Sequence, residues 1–198
     1  TGSDLIDVEA VAPLFEQVYA QMMRGEAEVD GFNRLVLGAG LGAQEIAWLR
    51  AYARYLKQAR FDLSQNYIEA TLAAHPAVAR QLVHLFRLRF DPEVHDAGAA
   101  STQVRAIEQA LEKVANLSED RVLRQLLALV QATLRTNAFR GRPYLSFKFE
   151  SAKVPGLPEP RPWVEIFVCS PRFEGIHLRG GKVARGGLRW SDRPEDFR

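Results

Sequence analysis

The period of the hydrophobic pattern changes once along this chain, at Gly141-Arg142-Pro143, and that change limits the folds open to it. Before it, apolar residues recur at spacings of three and four, the repeat of helices with buried stripes. After it, Leu145, Phe147 and Phe149 alternate with Ser146, Lys148 and Glu150, the two-residue repeat of a half-buried strand. Side chains return to the same face every 3.6 residues in a helix and every two in a strand, so neither pattern can be buried as the other. The expected architecture is α+β. A mainly α-helical domain occupies residues 1–140, and the opening strands of a truncated sheet domain occupy 141–198.

The helical part resolves into several segments. Pro13 suits a first helical position, so a helix is expected from there to Met23, with Gly25 just beyond its end. Between Ala43 and Gln58, Ile46, Leu49, Ala53 and Leu56 form one stripe and Trp48, Tyr52 and Tyr55 an adjoining one, which implies packing on more than one side. Ser64 can cap a helix through Leu72, and His75-Pro76 starts another that buries Val78, Leu82, Leu85 and Phe86. Residues 91–100 read as a loop, followed by a helix from Ser101 to Ala115. Ser118 is the expected cap of the next helix, whose stripe is Val122, Leu123, Leu126, Leu127, Val130 and Leu134.

Beyond the change of period, residues 154–162 are proline-rich and must form a loop. Trp163 to Cys169 is apolar at nearly every position, the pattern of a strand buried on both faces. Ile176 to Arg179 and Val183 to Trp190 read as shorter extended segments around glycine turns.

Composition excludes several classes. With 198 residues, 47% hydrophobic and 25% charged, the chain has an ordinary globular make-up, and a net charge of +2 gives no overall pull toward nucleic acid or membrane. No apolar run approaches the roughly 20 residues needed to span a bilayer. Cys169 is the single cysteine, so no intrachain disulfide can form, and a cytoplasmic location is the default expectation. Its strand context points to a buried, inert thiol rather than a nucleophile.

Gly38-Ala39-Gly40-Leu41-Gly42-Ala43 matches the dinucleotide fingerprint G-x-G-x-x-A, with Asp62 downstream as a candidate ribose ligand. The context fails, because no second buried strand follows, and a flexible helix-entry turn is the expected reading. His75, His84, His95 and His177 show no metal-ligand spacing. The end of the chain differs in kind. Gly175 to Arg198 combines Gly180-Gly181 and Gly186-Gly187 with Lys182, Arg185 and Arg189. Glycine pairs let backbone approach a ligand closely, while guanidinium and ammonium groups bind carboxylate or phosphate. Lys182, Arg185, Gly186, Gly187 and Arg189 are therefore the candidate anion-binding residues. A purely structural turn and a single RNA-binding RGG element are the competing readings. Pro194, Glu195 and Asp196 are helix-start signals followed by only two residues, so a fragment of a longer protein is expected.

The stretch from Gly175 through Gly180-Gly181-Lys182 and Arg185-Gly186-Gly187-Leu188-Arg189-Trp190 to Arg193 resembles the signature that opens the catalytic domain of the large bacterial NAD-specific glutamate dehydrogenases. The preceding helical region, including Leu49 to Leu56, is similar to the segment those enzymes carry before it. The resemblance implies that residues 141–198 are the first β-strands of an α/β catalytic, substrate-binding domain. It implies a parent oxidoreductase of glutamate catabolism that converts L-glutamate, NAD and water to 2-oxoglutarate, ammonia and NADH. It also implies a homo-oligomer with regulatory domains ahead of the helical segment, and no nucleic-acid or membrane partner. In the smaller hexameric relatives a Lys-Gly-Gly motif binds a substrate carboxylate, and the aligned triplet here is Arg185-Gly186-Gly187. The family's catalytic lysine, aspartate and dinucleotide-binding domain lie downstream of this motif. The chain alone is therefore expected to be inactive, holding no catalytic or cofactor-binding residue.

Overall fold

Seven helices precede an antiparallel sheet in the computed structural model, which describes residues 8–182 and the pair Arg189–Trp190. The helices are α1 (Val8–Met23), α2 (Arg34–Ala39), α3 (Ala43–Gln58), α4 (Gln65–Ala74), α5 (Pro76–Phe90), α6 (Ala97–Leu111) and α7 (Leu117–Ala132). The strands are β1 (Thr133–Thr136), β2 (Leu145–Glu150), β3 (Val164–Cys169), β4 (Glu174–Arg179) and β5 (Arg189–Trp190). They pair in chain order as a meander, each antiparallel to the next. The chain is thus α+β with its helices first.

Helix α3 is the centre of the molecule. Its two apolar stripes are both buried, and the aromatic one meets α5 as well as the sheet. Tyr52 stacks on Phe147 of β2 with ring centroids 4.5 Å apart and planes 5° from parallel. Tyr55 stacks on Phe149 at 4.1 Å, and Trp48 meets Phe86 of α5 at 4.5 Å. These rings join the helical layer to the sheet in one continuous hydrophobic core that crosses residue 141.

Local chemistry sets the helix ends, and several differ from the pattern-based expectation. Helix α7 is capped by Asn116, whose Oδ1 accepts from the N–H of Ser118 and Glu119, rather than by Ser118. Asp96 caps α6 through the N–H of Ala99, so this helix begins inside the segment read as a loop and ends at Leu111. Pro13 lies within α1 instead of opening it. Helix α7 stops at Ala132, where the chain turns directly into β1, an edge strand that the helical stripe had concealed. Leu134 is consequently 46% exposed on β1 instead of lying in the core. Strand β3 is buried on its helix-facing side through Glu165, Phe167 and Cys169, whereas Ile166 and Val168 on the other side are only half-buried. Of the segment Val183 to Trp190, Arg189–Trp190 is a strand and the rest lies outside the described residues.

The glycine-rich stretch between α2 and α3 is a helix–turn–helix. Leu35-Val36-Leu37 is helical, Gly40 ends α2 in the left-handed region at φ 63°, and Glu45 reaches back to the N–H of Gly42 at 3.0 Å. A dinucleotide cradle needs a strand before its glycines. Here helix α2 leads into them instead, so the segment does not fit NAD.

Candidate functional site

The β3–β4 hairpin and β5 carry the described part of the terminal basic segment. Cross-strand pairing places Phe167 opposite Ile176 and Cys169 opposite Glu174. Strand β5 then adds to the free side of β4, with Arg189 opposite Ile176 and Trp190 opposite Gly175. Ile176, 1% exposed, provides an apolar floor beneath this pairing. At the other end of β4, the Arg179 guanidinium donates to the carbonyl of Lys182 at 2.9 Å and so shapes the turn. A Cβ added at Gly180 or Gly181 would meet nothing within 4 Å. Lys182 is exposed.

Two of the five candidate residues, Lys182 and Arg189, are therefore set along the β4–β5 edge. Ile176 and Arg179, which mark their positions, are roughly 10 Å apart along the strand. Arg185, Gly186 and Gly187 lie outside the described residues, and of Arg189 only the backbone is described.

Residues that pattern reading left aside form a polar junction at the neighbouring end of the hairpin. Arg54 of α3 donates to the Ser170 carbonyl at 3.1 Å and forms an ion pair with Glu28. Gln58, one turn further on, donates to Glu174 of β4 at 2.5 Å. Arg50 is 4% exposed and makes a two-pronged contact with Asp30 at 2.6 and 2.8 Å. Glu28, Arg50 and Arg54 line a cavity of about 350 Å³ that reaches Tyr144, Cys169 and Ser170. Burial raises the Glu28 and Glu174 carboxyls above the ordinary glutamate value, while the nearby Arg54 pulls both back down. Burial also pushes the Cys169 thiol up to about 12, which makes it a poor nucleophile. Arg50, Arg54 and Gln58 recur every four residues on a face of α3, and that spacing was the one available signal. Their partners lie 20 to 116 residues away, so nothing local announced the pairing.

His75 is bound to Glu119 at 2.8 Å, and no group of three His, Cys, Asp or Glu side chains gathers as a metal set among the described residues. No described helix is long and apolar enough to cross a membrane.

Comparison with known proteins defines the class first. The bacterial NAD-glutamate dehydrogenase catalytic domain matches residues 106–198, and glutamate dehydrogenase helical motif 3 matches residues 27–92. Three proteins named NAD-specific glutamate dehydrogenase are similar over nearly the whole chain. Those of Halomonas elongata, Pseudomonas aeruginosa and Mycobacterium tuberculosis are 53%, 48% and 49% identical over 93%, 98% and 96% of it. The chain belongs to this NAD-specific glutamate dehydrogenase family. It spans only 12–13% of the length of these relatives.

Proposed function

We propose that this chain is part of an NAD-dependent glutamate dehydrogenase and supplies one side of the substrate-carboxylate site. The whole protein would convert L-glutamate, NAD and water to 2-oxoglutarate, ammonia and NADH, working as a homo-oligomer. The observation that carries the reading is the match to the family's catalytic domain, which runs through the basic, glycine-rich segment to residue 198.

Within that reading, Arg185 grips a substrate carboxylate with Lys182 and Arg189 beside it, and Gly186-Gly187 lets the ligand approach the backbone. A guanidinium presents two parallel N–H donors where an ammonium presents a point charge, so an arginine here favours a planar, two-pronged grip. The helical layer acts as a scaffold. Tyr52, Tyr55, Arg54 and Gln58 of α3 all engage the sheet or its hairpin, holding the strands that precede the basic segment. NAD supplies the hydride acceptor, and no described residue forms its cradle.

Steady-state kinetics of the full-length protein test this. Arg185→Ala should weaken transition-state binding of glutamate by about 1.5–3 kcal/mol, read as a fall in kcat/KM for glutamate with the KM for NAD unchanged. Unaltered glutamate kinetics, or loss of stability without a change in KM, would assign the segment a purely structural role.

A further inference from the structure

At the opposite edge of the sheet from β5, a cleft of about 630 Å³ opens between the end of α5, the start of α6 and the junction of α7 with β1. Its charged lining has one sign. Arg89, Arg105 and His95 face it, and among the described residues no aspartate or glutamate lines it. Phe90, Val104 and the exposed Leu134 give it an apolar wall.

Arg89 shows why the charge matters. Its Nη2 donates to the carbonyls of Gln131 and Thr133 at 3.1 and 3.2 Å, capping the C-terminal end of α7, where the helix dipole is negative. Its Nε is buried and makes no hydrogen bond among the described residues. Burial pulls the guanidinium below the usual arginine range, and it lies over the Phe90 ring at 5.2 Å with no carboxylate partner among the described residues. Arg105, exposed, donates among the described residues to the Thr102 hydroxyl at 3.1 Å. A guanidinium withdrawn from water is costly without a counter-charge, and carbonyl dipoles offset that cost only in part. Two arginines that pair with no carboxylate among the described residues, in a cleft whose described lining carries no acid, suit it to an anion.

We propose that this cleft binds a small organic anion, with its carboxylate or phosphate between Arg89 and Arg105 and its apolar body against Phe90, Val104 and Leu134. The site lies apart from the basic segment at β5 and does not depend on the reading of that segment. The same anionic group could come from a free ligand or from an acidic side chain elsewhere in the longer protein, and the experiment separates the two.

Phenyl phosphate and phenylacetate are titrated calorimetrically into the full-length protein, with phenol as the uncharged control. Saturable, salt-sensitive binding of either anion but not of phenol is expected. Arg105→Ala, at an exposed position, should weaken it roughly tenfold or more. Arg89→Lys should also weaken it, because lysine keeps a charge near the α7 carbonyls but loses the planar guanidinium fork. Equal affinity in wild type and both variants would place binding elsewhere and overturn the proposal, as would no saturable binding. A structure of the full-length protein with one of its own carboxylates on Arg89 would overturn it equally. Glutamate turnover is measured separately, so failure here leaves the reading of Arg185 untouched.

Discussion

The Tyr55 hydroxyl donates to the Glu165 carboxylate at 2.7 Å, joining the last turn of α3 to the start of β3 across 110 residues of chain. Both residues are fully buried, Tyr55 beneath Phe149 and Glu165 on the helix-facing side of the sheet. A carboxylate buried in a strand core is tolerable only where donors reach it, so this contact specifies how α3 sits on the sheet.

Tyr55→Phe keeps the ring stack and removes that donor. It should lower unfolding stability by about 1–3 kcal/mol, measured by the denaturant midpoint at unchanged slope. A neutral outcome would show that Glu165 is held mainly by other groups.

The Tyr52–Phe147 stack predicts a different signature. Phe147→Ala should cost about 3–5 kcal/mol through the cavity it leaves. A double-mutant cycle with Tyr52→Leu should return a coupling of about 0.5–1.5 kcal/mol beyond simple burial. Additive losses would mean that the parallel rings contribute area alone.

The hairpin junction predicts a pH dependence with a defined sign. Burial is the leading influence on Glu28 and Glu174 and lifts both above the ordinary value of 4.5. The folded protein therefore holds their protons more tightly than the unfolded chain does. Their contribution to stability is fully present below about pH 4.5 and falls as pH rises through the folded values. The stability difference between wild type and Glu174→Gln should accordingly move against wild type as pH rises above that point. A difference that stays constant, or that favours wild type at higher pH, would remove burial as the dominant influence.

Cys169 should resist alkylation. With its thiol at about 12 and its side chain buried, reaction with iodoacetamide at neutral pH requires unfolding. The thiolate deficit alone makes the folded rate on the order of a thousandfold slower than in denaturant. Rapid labelling of the folded chain, followed by mass spectrometry, would contradict this.

Patterns that repeat over short distances were legible in the residues themselves. The stripe of Val104, Ile107 and Leu111, the twin stripes of α3 and the alternation of Leu145, Phe147 and Phe149 all report which face an element buries. Helix ends were harder to read, because Asn116 and Ser118, or Asp96 and Ser101, are alternative caps of similar intrinsic quality. Only the backbone path shows which side chain meets the orphan N–H groups.

Strand β1 shows the same limit. Leu134 continues the spacing of α7, yet pairing of β1 with β2 draws it out of the helix. The terminal cations could be named from residue type and spacing alone, since their chemistry is intrinsic to the side chains. Arg54 with Glu28, Gln58 with Glu174 and the unpaired Nε of Arg89 required the tertiary structure. Charge pairing and burial depend on distances between segments that only the folded chain brings together.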